Sequence, residues 1–263
     1  TAQEILSKIP DIADFCQTYL GIDPTRQPIP VQPTAHYAMG GIPTNIFGQV
    51  VIDEKNTVLP GLYAAGEVAC VSVHGANRLG TNSLVDLIVF GKHAGMNAAE
   101  FALGANFVPL PSDPDEYVRE QISRLRAGSG KEKAAAIARE LKAEMFDHVG
   151  VFRTQEGLEH AIQKVRELQE RFKDVRVTDS GKIFNMELLQ TWELGNMLDL
   201  ALVTAQSALA RTESRGGHAR DDYPARDDVN WLKHTLAWMD KDQIRLGYKP
   251  VVITKYPPKE RTY

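Results

Sequence analysis

The first segment that could do chemistry places a histidine beside a glycine pair. Gly40 and Gly41 follow His36, four and five positions further along the chain. Glycine carries no side-chain bulk, so a small ligand can approach the backbone closely there, and an imidazole can hydrogen-bond it. A histidine near glycines is also an ordinary turn residue. The segment alone therefore leaves a binding role and a turn role open.

A second candidate is a carboxylate at the end of an apolar strand. The predicted strand Leu62 to Ala65 runs into Gly66 and Glu67. A carboxylate at the carboxyl end of a strand can accept hydrogen bonds from sugar-type hydroxyl groups, and the glycine admits the ligand. The alternative is a tight turn with an exposed glutamate.

The third candidate combines an arginine with the start of a helix. Arg78 lies in a stretch that begins at His74, and the helical pattern starts at Ser83, next to Leu84. The planar guanidinium matches a carboxylate, and backbone N–H groups at a helix N-terminus favour negative charge. Together they predict a small anionic site. The alternative is a capping loop with a surface arginine.

A fourth segment is too charged for a core and too patterned for a random loop. It runs from Arg211 to Pro224 and alternates arginines with acidic residues, a Gly-Gly pair and His218. We interpret it as a charged junction that holds a helical region against the part of the chain with the other three segments.

The elements around these segments predict an α/β region followed by an α region. Apolar spacing predicts a short helix over 1–20, and the prolines that follow predict an extended connector over 24–33. A longer helix is expected from Ser83 to Leu103, with Asn82 or Ser83 as its N-cap and Gly104 as its C-cap. Two strands, over 49–52 and 62–65, join through a polar turn over 53–56.

Helices dominate the rest of the chain. Two helices are predicted over 115–127 and 131–148. A third is expected to begin after an N-cap at Thr154, and a fourth to run from an N-cap at Asn185 to about Arg211. Long helices with short connections indicate an antiparallel bundle. The final segment turns at 240–243 and becomes strand-like over 244–253.

Composition excludes several classes of protein. Lys and Arg total 30 and Asp and Glu total 34, so the net charge of −4 gives no drive toward nucleic acid. Two cysteines do not make a disulfide scaffold or an iron–sulfur cluster held by this chain alone. The histidines show neither an HExxH pair nor a Cys/His zinc spacing, so no metal site is predicted.

The order of these segments resembles a known family, the flavoprotein subunits of succinate dehydrogenase and fumarate reductase. The stretch 36–41 resembles its HYxMGG element, 70–84 its substrate and flavin loop, and 211–228 its RTESRGxH element. The last seven residues, 257–263, resemble the family's C-terminus. The similarity covers essentially the whole chain.

The resemblance implies residue roles. His36 and Arg78 would bind a dicarboxylate substrate, Glu67 would contact the ribityl region of FAD, and Ser83 and Leu84 the isoalloxazine end. The reaction would be oxidation of succinate to fumarate, with a hydride passing to FAD. The family's N-terminal half carries the G-x-G-x-x-G unit, the histidine that attaches FAD covalently and the arginine that shuttles the proton. It has no counterpart here, so no catalytic acid or base is assigned and the chain alone is expected to be inactive.

The resemblance also implies domains and partners. Residues 1–27 would be the tail of a capping domain, 28–108 the C-terminal part of an FAD-binding domain, 109–230 a helical domain and 231–263 a C-terminal β segment. An iron–sulfur subunit would accept the electrons. Membrane anchor subunits would hold the assembly at the cytoplasmic face of a bacterial inner membrane, in a respiratory complex II.

Three other interpretations stay open. Fumarate reductase uses the same site in the other direction. L-aspartate oxidase shares the fold, although the sequence around Arg78 is closer to the dehydrogenase form. The helical region, about 100 residues long, could also be a non-catalytic interaction module that buries its own core.

Overall fold

The computed structural model describes residues 1–32, 36–128, 130–240 and 243–259. Four stretches that belong to predicted features or border them lie outside the described residues: the end of the proline connector (Pro33), the two residues before His36 (Thr34 and Ala35), the centre of the last turn (241–242) and the C-terminal stretch 260–263. The chain divides into two compact units, Thr1–Ala35 and His36–Tyr263.

The first unit contains three short helical segments where the sequence predicted one helix. They are α1 (Ala2–Lys8), α2 (Pro10–Phe15) and a π-helical turn (Cys16–Leu20). Thr1 caps α1 through a capping box with Glu4. The helix breaks before Pro10, because proline has no N–H to continue the ladder and is accommodated at the first turn of α2.

Short paired strands open the second unit. Strand β1 (Ile42–Pro43) pairs in parallel with β4 (Ala69–Cys70), and β2 (Gln49–Val51) pairs antiparallel with β3 (Val58–Tyr63). The predicted polar turn is confirmed, since the Asp53 carboxylate accepts backbone N–H groups within it. The second strand begins earlier and ends earlier than predicted.

Helix α3 (Asn82–Gly104) is confirmed, but both predicted caps are wrong. The N-cap is Thr81, with φ of 62°; its hydroxyl donates to the Gly80 carbonyl at 2.6 Å and accepts no N–H of the helix among the described residues. At the other end Gly104 still belongs to the helix. Ala105, in extended backbone, is the C-cap.

The region predicted as a helical domain, called the helical domain below, contains four helices: α4 (Glu116–Ala127), α5 (Ala134–Val149), α6 (Gln155–Phe172) and α7 (Met186–Ala210). Both predicted caps are confirmed: Thr154 accepts from the Gly157 N–H at 3.1 Å, and Asn185 accepts from the Leu188 N–H at 2.8 Å. Apolar side chains of α5, α6 and α7 form the main core: Ile137, Leu141, Val165, Leu168, Leu194, Leu198, Ala201 and Leu202. This bundle buries the chain's largest apolar cluster among the described residues.

The chain then returns to the first strands. Strand β5 (Phe152–Arg153) pairs in parallel with β6 (Ala219–Arg220), the short helix α8 (Asp228–Trp231) follows, and β7 (Lys233–Asp240) pairs antiparallel with β8 (Gln243–Pro250). The last strand ends at Pro250 rather than at residue 253, because Pro250 already pairs with the first residue of β7.

The β7–β8 hairpin packs on the β2–β3 region. The Trp238 indole donates to the Ile52 carbonyl at 3.0 Å, and Lys249 donates to Asn56 at 2.7 Å. These elements confirm the predicted class of α/β plus α. No helix in the described ranges has both the length and the hydropathy of a membrane-crossing segment.

Candidate functional site

Arg78 packs against an aromatic ring and does not use all of its hydrogen-bond donors within the described residues. Its guanidinium carbon lies 4.6 Å from the centroid of the Tyr37 ring, a cation–π contact. One terminal nitrogen donates to the Leu79 carbonyl at 3.1 Å. The Nε atom is buried and has no hydrogen-bond partner within the described part of the chain. Because an unpaired buried donor is costly, this side chain is suited to receive an anion.

A buried carboxylate fixes the ring beneath Arg78. Asp86, which is 5% exposed, accepts from the Tyr37 hydroxyl at 3.3 Å, and its Oδ2 lies 3.1 Å from the Nε2 atom of His74. The two rings meet edge to face at 5.3 Å. Burial, reinforced by the negative charge of Asp86, raises the pKa of the Tyr37 phenol. Tyr37 is therefore a neutral donor near neutral pH and its ring is held at two points.

His36 precedes this ring directly in the chain and is exposed. The segment that carries it is tied to the second candidate, since the Ala38 N–H donates to the Oε1 atom of Glu67 at 3.0 Å. Glu67 is exposed as well. The first and second segments thus meet through the backbone of residue 38, and the first and third meet through the ring of Tyr37.

Gly66 brings the segment that carries Glu67 against α3. Its φ is +80°, a left-handed backbone that favours glycine, and a Cβ atom there would lie 2.5 Å from the Leu87 side chain of the helix. Glu67 does not end a strand as predicted, because β3 ends at Tyr63 and Glu67 lies in the turn before β4. This turn and the first turns of α3 are neighbours.

The N-terminus of α3 is open. No side chain of the described residues caps it, Ser83 is half-buried, and Leu84 is 63% exposed. The residue before the helix, Thr81, adopts left-handed backbone, which is strained for a non-glycine residue and is found preferentially at functional sites. The positive end of the helix dipole faces outward here and would stabilise negative charge.

The fourth segment docks on the arginine loop. The Gly217 N–H donates to the Ala76 carbonyl at 2.9 Å. Gly216 has φ of +59°, and a Cβ atom there would come within 2.5 Å of the same carbonyl oxygen. The loop that carries Arg78 is therefore seated on a glycine pair that follows the helical domain.

A network of charges holds this glycine pair. Glu213 is fully buried and accepts from Arg211 at 2.5 Å, from Arg215 at 2.8 and 2.9 Å, and from the backbone N–H of Asp227 at 2.9 Å. Arg215 also donates to Asp228 at 2.7 Å. Removing the carboxylate would leave two arginines facing each other in a largely buried site.

His218 and Arg220 connect the same segment to the bundle. Arg153 lies 2.6 Å from the Nδ1 atom of His218, whose Nε2 lies 3.1 Å from the Arg211 carbonyl. Burial, with the surrounding arginines, lowers the pKa of His218 to about 4. Arg220, 1% exposed, caps the carbonyls of Ala208 and Leu209 at the end of α7. The predicted charged junction is confirmed.

Sequence reasoning missed the residues that support Arg78. Tyr37, His74 and Asp86 had no assigned role. A signal was present, because Asp86 interrupts the apolar run from Leu84 to Phe90 on a helix that otherwise reads as apolar. A buried carboxylate in such a run needs partners, and here they come from residues 37 and 74.

Comparison with known proteins identifies the family. A model described as "FAD binding domain" matches residues 1–84, and one described as "Fumarate reductase flavoprotein C-term" matches residues 138–263. The chain belongs to the succinate dehydrogenase and fumarate reductase flavoprotein family. Within this family the chain is 44% identical to the succinate dehydrogenase flavoprotein subunit of Rickettsia bellii, over 98% of this chain and 45% of that protein.

Other members of the family give the same picture. The fumarate reductase flavoprotein subunit of Mycobacterium tuberculosis is 44% identical over 100% of this chain and 45% of its own length. A solved structure of an E. coli quinol fumarate reductase FrdA variant is 43% identical, with a TM-score of 0.85 over 99% of this chain and 44% of that chain. The chain spans less than half the length of the relatives it matches.

The family's cofactor, FAD, agrees with the sequence prediction and with the residues present. The uncapped N-terminus of α3 can stabilise negative charge on a flavin, and the exposed side chains of Leu79 and Leu84 offer apolar contacts beside it. Glu67 has the acceptor chemistry that a ribityl hydroxyl requires. The roles of Glu67, Ser83 and Leu84 stay predictions.

Proposed function

We propose that this chain, together with the N-terminal half characteristic of its family, forms a flavoprotein that oxidises succinate to fumarate. The observation that carries the proposal is the guanidinium of Arg78, fixed on the Tyr37 ring with a buried Nε that has no partner among the described residues. It lies in the loop that leads directly into the uncapped helix α3. A cation next to a positive helix end suits a substrate with negative charge.

In this proposal the residues of the chain bind and orient. Arg78 takes one carboxylate of the dicarboxylate through two parallel N–H groups, and His36 hydrogen-bonds the other. Holding both ends fixes the central C–C bond. Bound FAD supplies the hydride acceptor at this position. The first turn of α3 then stabilises the negative charge that the reduced cofactor carries.

The junction has a positioning role in this proposal. The Arg78 loop rests on Gly216 and Gly217, and these are held by the buried Glu213 network. The helical domain therefore sets the place of an arginine that belongs to another part of the chain. The proton released from the substrate passes, by resemblance, to a residue of the N-terminal half.

We further propose that an iron–sulfur subunit receives the electrons and that membrane anchor subunits hold the assembly at the cytoplasmic face of a bacterial inner membrane. Support comes from solved structures of similar chains, a quinol-fumarate reductase with menaquinol molecules and a Mycobacterium smegmatis Sdh1 in complex with UQ1. These describe those proteins and motivate the proposal for this one.

Fumarate reduction is the second candidate function. The chain is equally similar, at 44% identity, to relatives named for each direction. An assay can distinguish the two directions of the reaction, using this chain joined to the N-terminal half of a relative. Succinate oxidation with an artificial acceptor and fumarate reduction with a reduced dye are measured side by side, and the proposal expects the first to be faster.

The substrate class is tested with inhibitors and one variant pair. We expect malonate, and not aspartate analogues, to compete with succinate, which separates this proposal from an L-aspartate oxidase. Arg78→Lys keeps the charge but loses the two-pronged geometry, so kcat/KM should fall at least about tenfold. Arg119→Lys, on the exposed surface of α4, should change nothing. Turnover by the isolated chain would contradict the need for a second half.

A further inference from the structure

A second group of ligating side chains lies in the helical domain. Glu144 and His148 are four residues apart on α5, so they share one face of that helix. His160 lies on α6, which packs beside α5. One nitrogen or oxygen atom from each of the three residues lies within 4.8 Å of the other two.

The distances within this group suit a shared ion. The Nδ1 atom of His160 lies 2.8 Å from the Oε1 atom of Glu144, and the Nε2 atom of His148 lies 3.9 Å from the same oxygen. The two imidazole rings are 5.0 Å apart between centroids. Metal–ligand bonds of about 2.0–2.2 Å place tetrahedral ligand atoms about 3.3–3.6 Å apart. The observed separations bracket this range.

Burial decides which side chains can adjust. The Glu144 side chain is 11% exposed, whereas those of His148 and His160 are 38% and 59% exposed. The carboxylate is thus an anchored anion near the helix interface, and both rings have room to rotate by the fraction of an ångström that coordination requires. The exposed side of His160 leaves space for water as a fourth ligand.

We propose that Glu144, His148 and His160 form a binding site for a divalent transition metal ion of the zinc type. Two imidazoles and one carboxylate are the donor set that Zn²⁺ takes when a fourth position is left to water. Mg²⁺ and Ca²⁺ require mainly oxygen ligands and are excluded by this set. The ion joins α5 to α6 across the turn that contains β5, and therefore acts as a clasp on the helical domain.

This site is independent of the dicarboxylate site. None of its three residues takes part in the contacts around Arg78 or in the Glu213 network. Sequence reasoning rejected a metal site because it searched for ligands close together in the chain. The third ligand, His160, is 12 residues away from His148 and on another helix, so only the packing of α5 against α6 reveals it.

The test is a Co²⁺ titration of the 263-residue chain, followed by its visible absorption and then by displacement with Zn²⁺. We expect one ion per chain, a tetrahedral absorption band, and a rise in Tm with Zn²⁺ but not with Mg²⁺ or Ca²⁺. His148→Gln and His160→Gln should each weaken binding at least tenfold. Glu144→Gln keeps the shape of its side chain and should weaken binding as well.

His93→Gln is the matched control, because His93 is an exposed histidine on α3 whose ring makes a long contact to the Ile46 carbonyl at 3.4 Å and an edge contact with the Phe90 ring at 6.2 Å. It should bind Co²⁺ as the unmodified chain does. Each variant's far-UV spectrum and metal-free Tm establish that it is folded. Affinity that survives in the double variant H148Q/H160Q, or that falls equally in H93Q, would overturn the proposal.

Discussion

Gly216→Ala tests whether the helical domain positions the loop that carries Arg78. Gly216 has φ of +59°, and an added Cβ would lie 2.5 Å from the Ala76 carbonyl oxygen. Alanine in left-handed backbone costs about 1 kcal/mol. Forcing backbone atoms apart to relieve the overlap adds about 1–3 kcal/mol. The free energy of unfolding should therefore fall by about 2–4 kcal/mol in total.

Gly75→Ala separates the two contributions. Gly75 lies in the loop that carries Arg78 and has φ of +58°, but no atom of the described residues lies within 4 Å of an added Cβ. It should show only the backbone cost of about 1 kcal/mol. Urea unfolding of both variants, followed by circular dichroism at unchanged m-value, gives the difference. Equal destabilisation by the two substitutions would mean that the loop does not rest on Gly216.

Two more predictions concern the charged junction. Glu213→Gln leaves Arg211 and Arg215 without their shared carboxylate and should lower the free energy of unfolding by about 3–5 kcal/mol. The control, Glu170→Gln on the surface of α6, should change it by less than about 0.5 kcal/mol. Urea titration measures both values, and similar values would refute the importance of the network. The pKa of His218 is about 4 in the folded chain against 6.5 ordinarily, so the unfolded chain binds more protons between these values. Stability should fall by up to about 3 kcal/mol as pH drops from about 6.5 to 4, and His218→Gln should flatten that slope in unfolding curves taken at several pH values. An unchanged slope would contradict the assignment.

Local signals in the sequence predicted the elements well. Thr154 and Asn185 cap their helices because a short side chain with an oxygen atom, placed just before an apolar periodic run, can accept a hydrogen bond from a free N–H in the first turn. The same rule failed at α3. The residues before it, Gly80 and Thr81, place the backbone in a conformation from which Asn82 and Ser83 enter the helix instead of capping it.

The site could be predicted only as separate segments. Chain order shows that Arg78 precedes a helix, but not that Tyr37 lies beneath it or that Asp86 holds Tyr37, since these contacts span 41 and 49 positions of the sequence. The proposed metal ligands, Glu144, His148 and His160, were not predicted from the sequence for the same reason, because they lie on two different helices. The family resemblance implies roles for His36 and Glu67 that stay predictions, and the structure adds the hydrogen bond from the Ala38 N–H to Glu67.

The most direct test of the central claim is a double-mutant cycle on malonate binding. His36→Gln, Arg78→Gln and the double variant are prepared in the flavoprotein joined to its family's N-terminal half, and malonate affinity is taken from competitive inhibition. If both side chains hold one dicarboxylate, each single change weakens binding at least about tenfold and the double change costs less than their sum. An affinity unaffected by either single change would contradict a shared site.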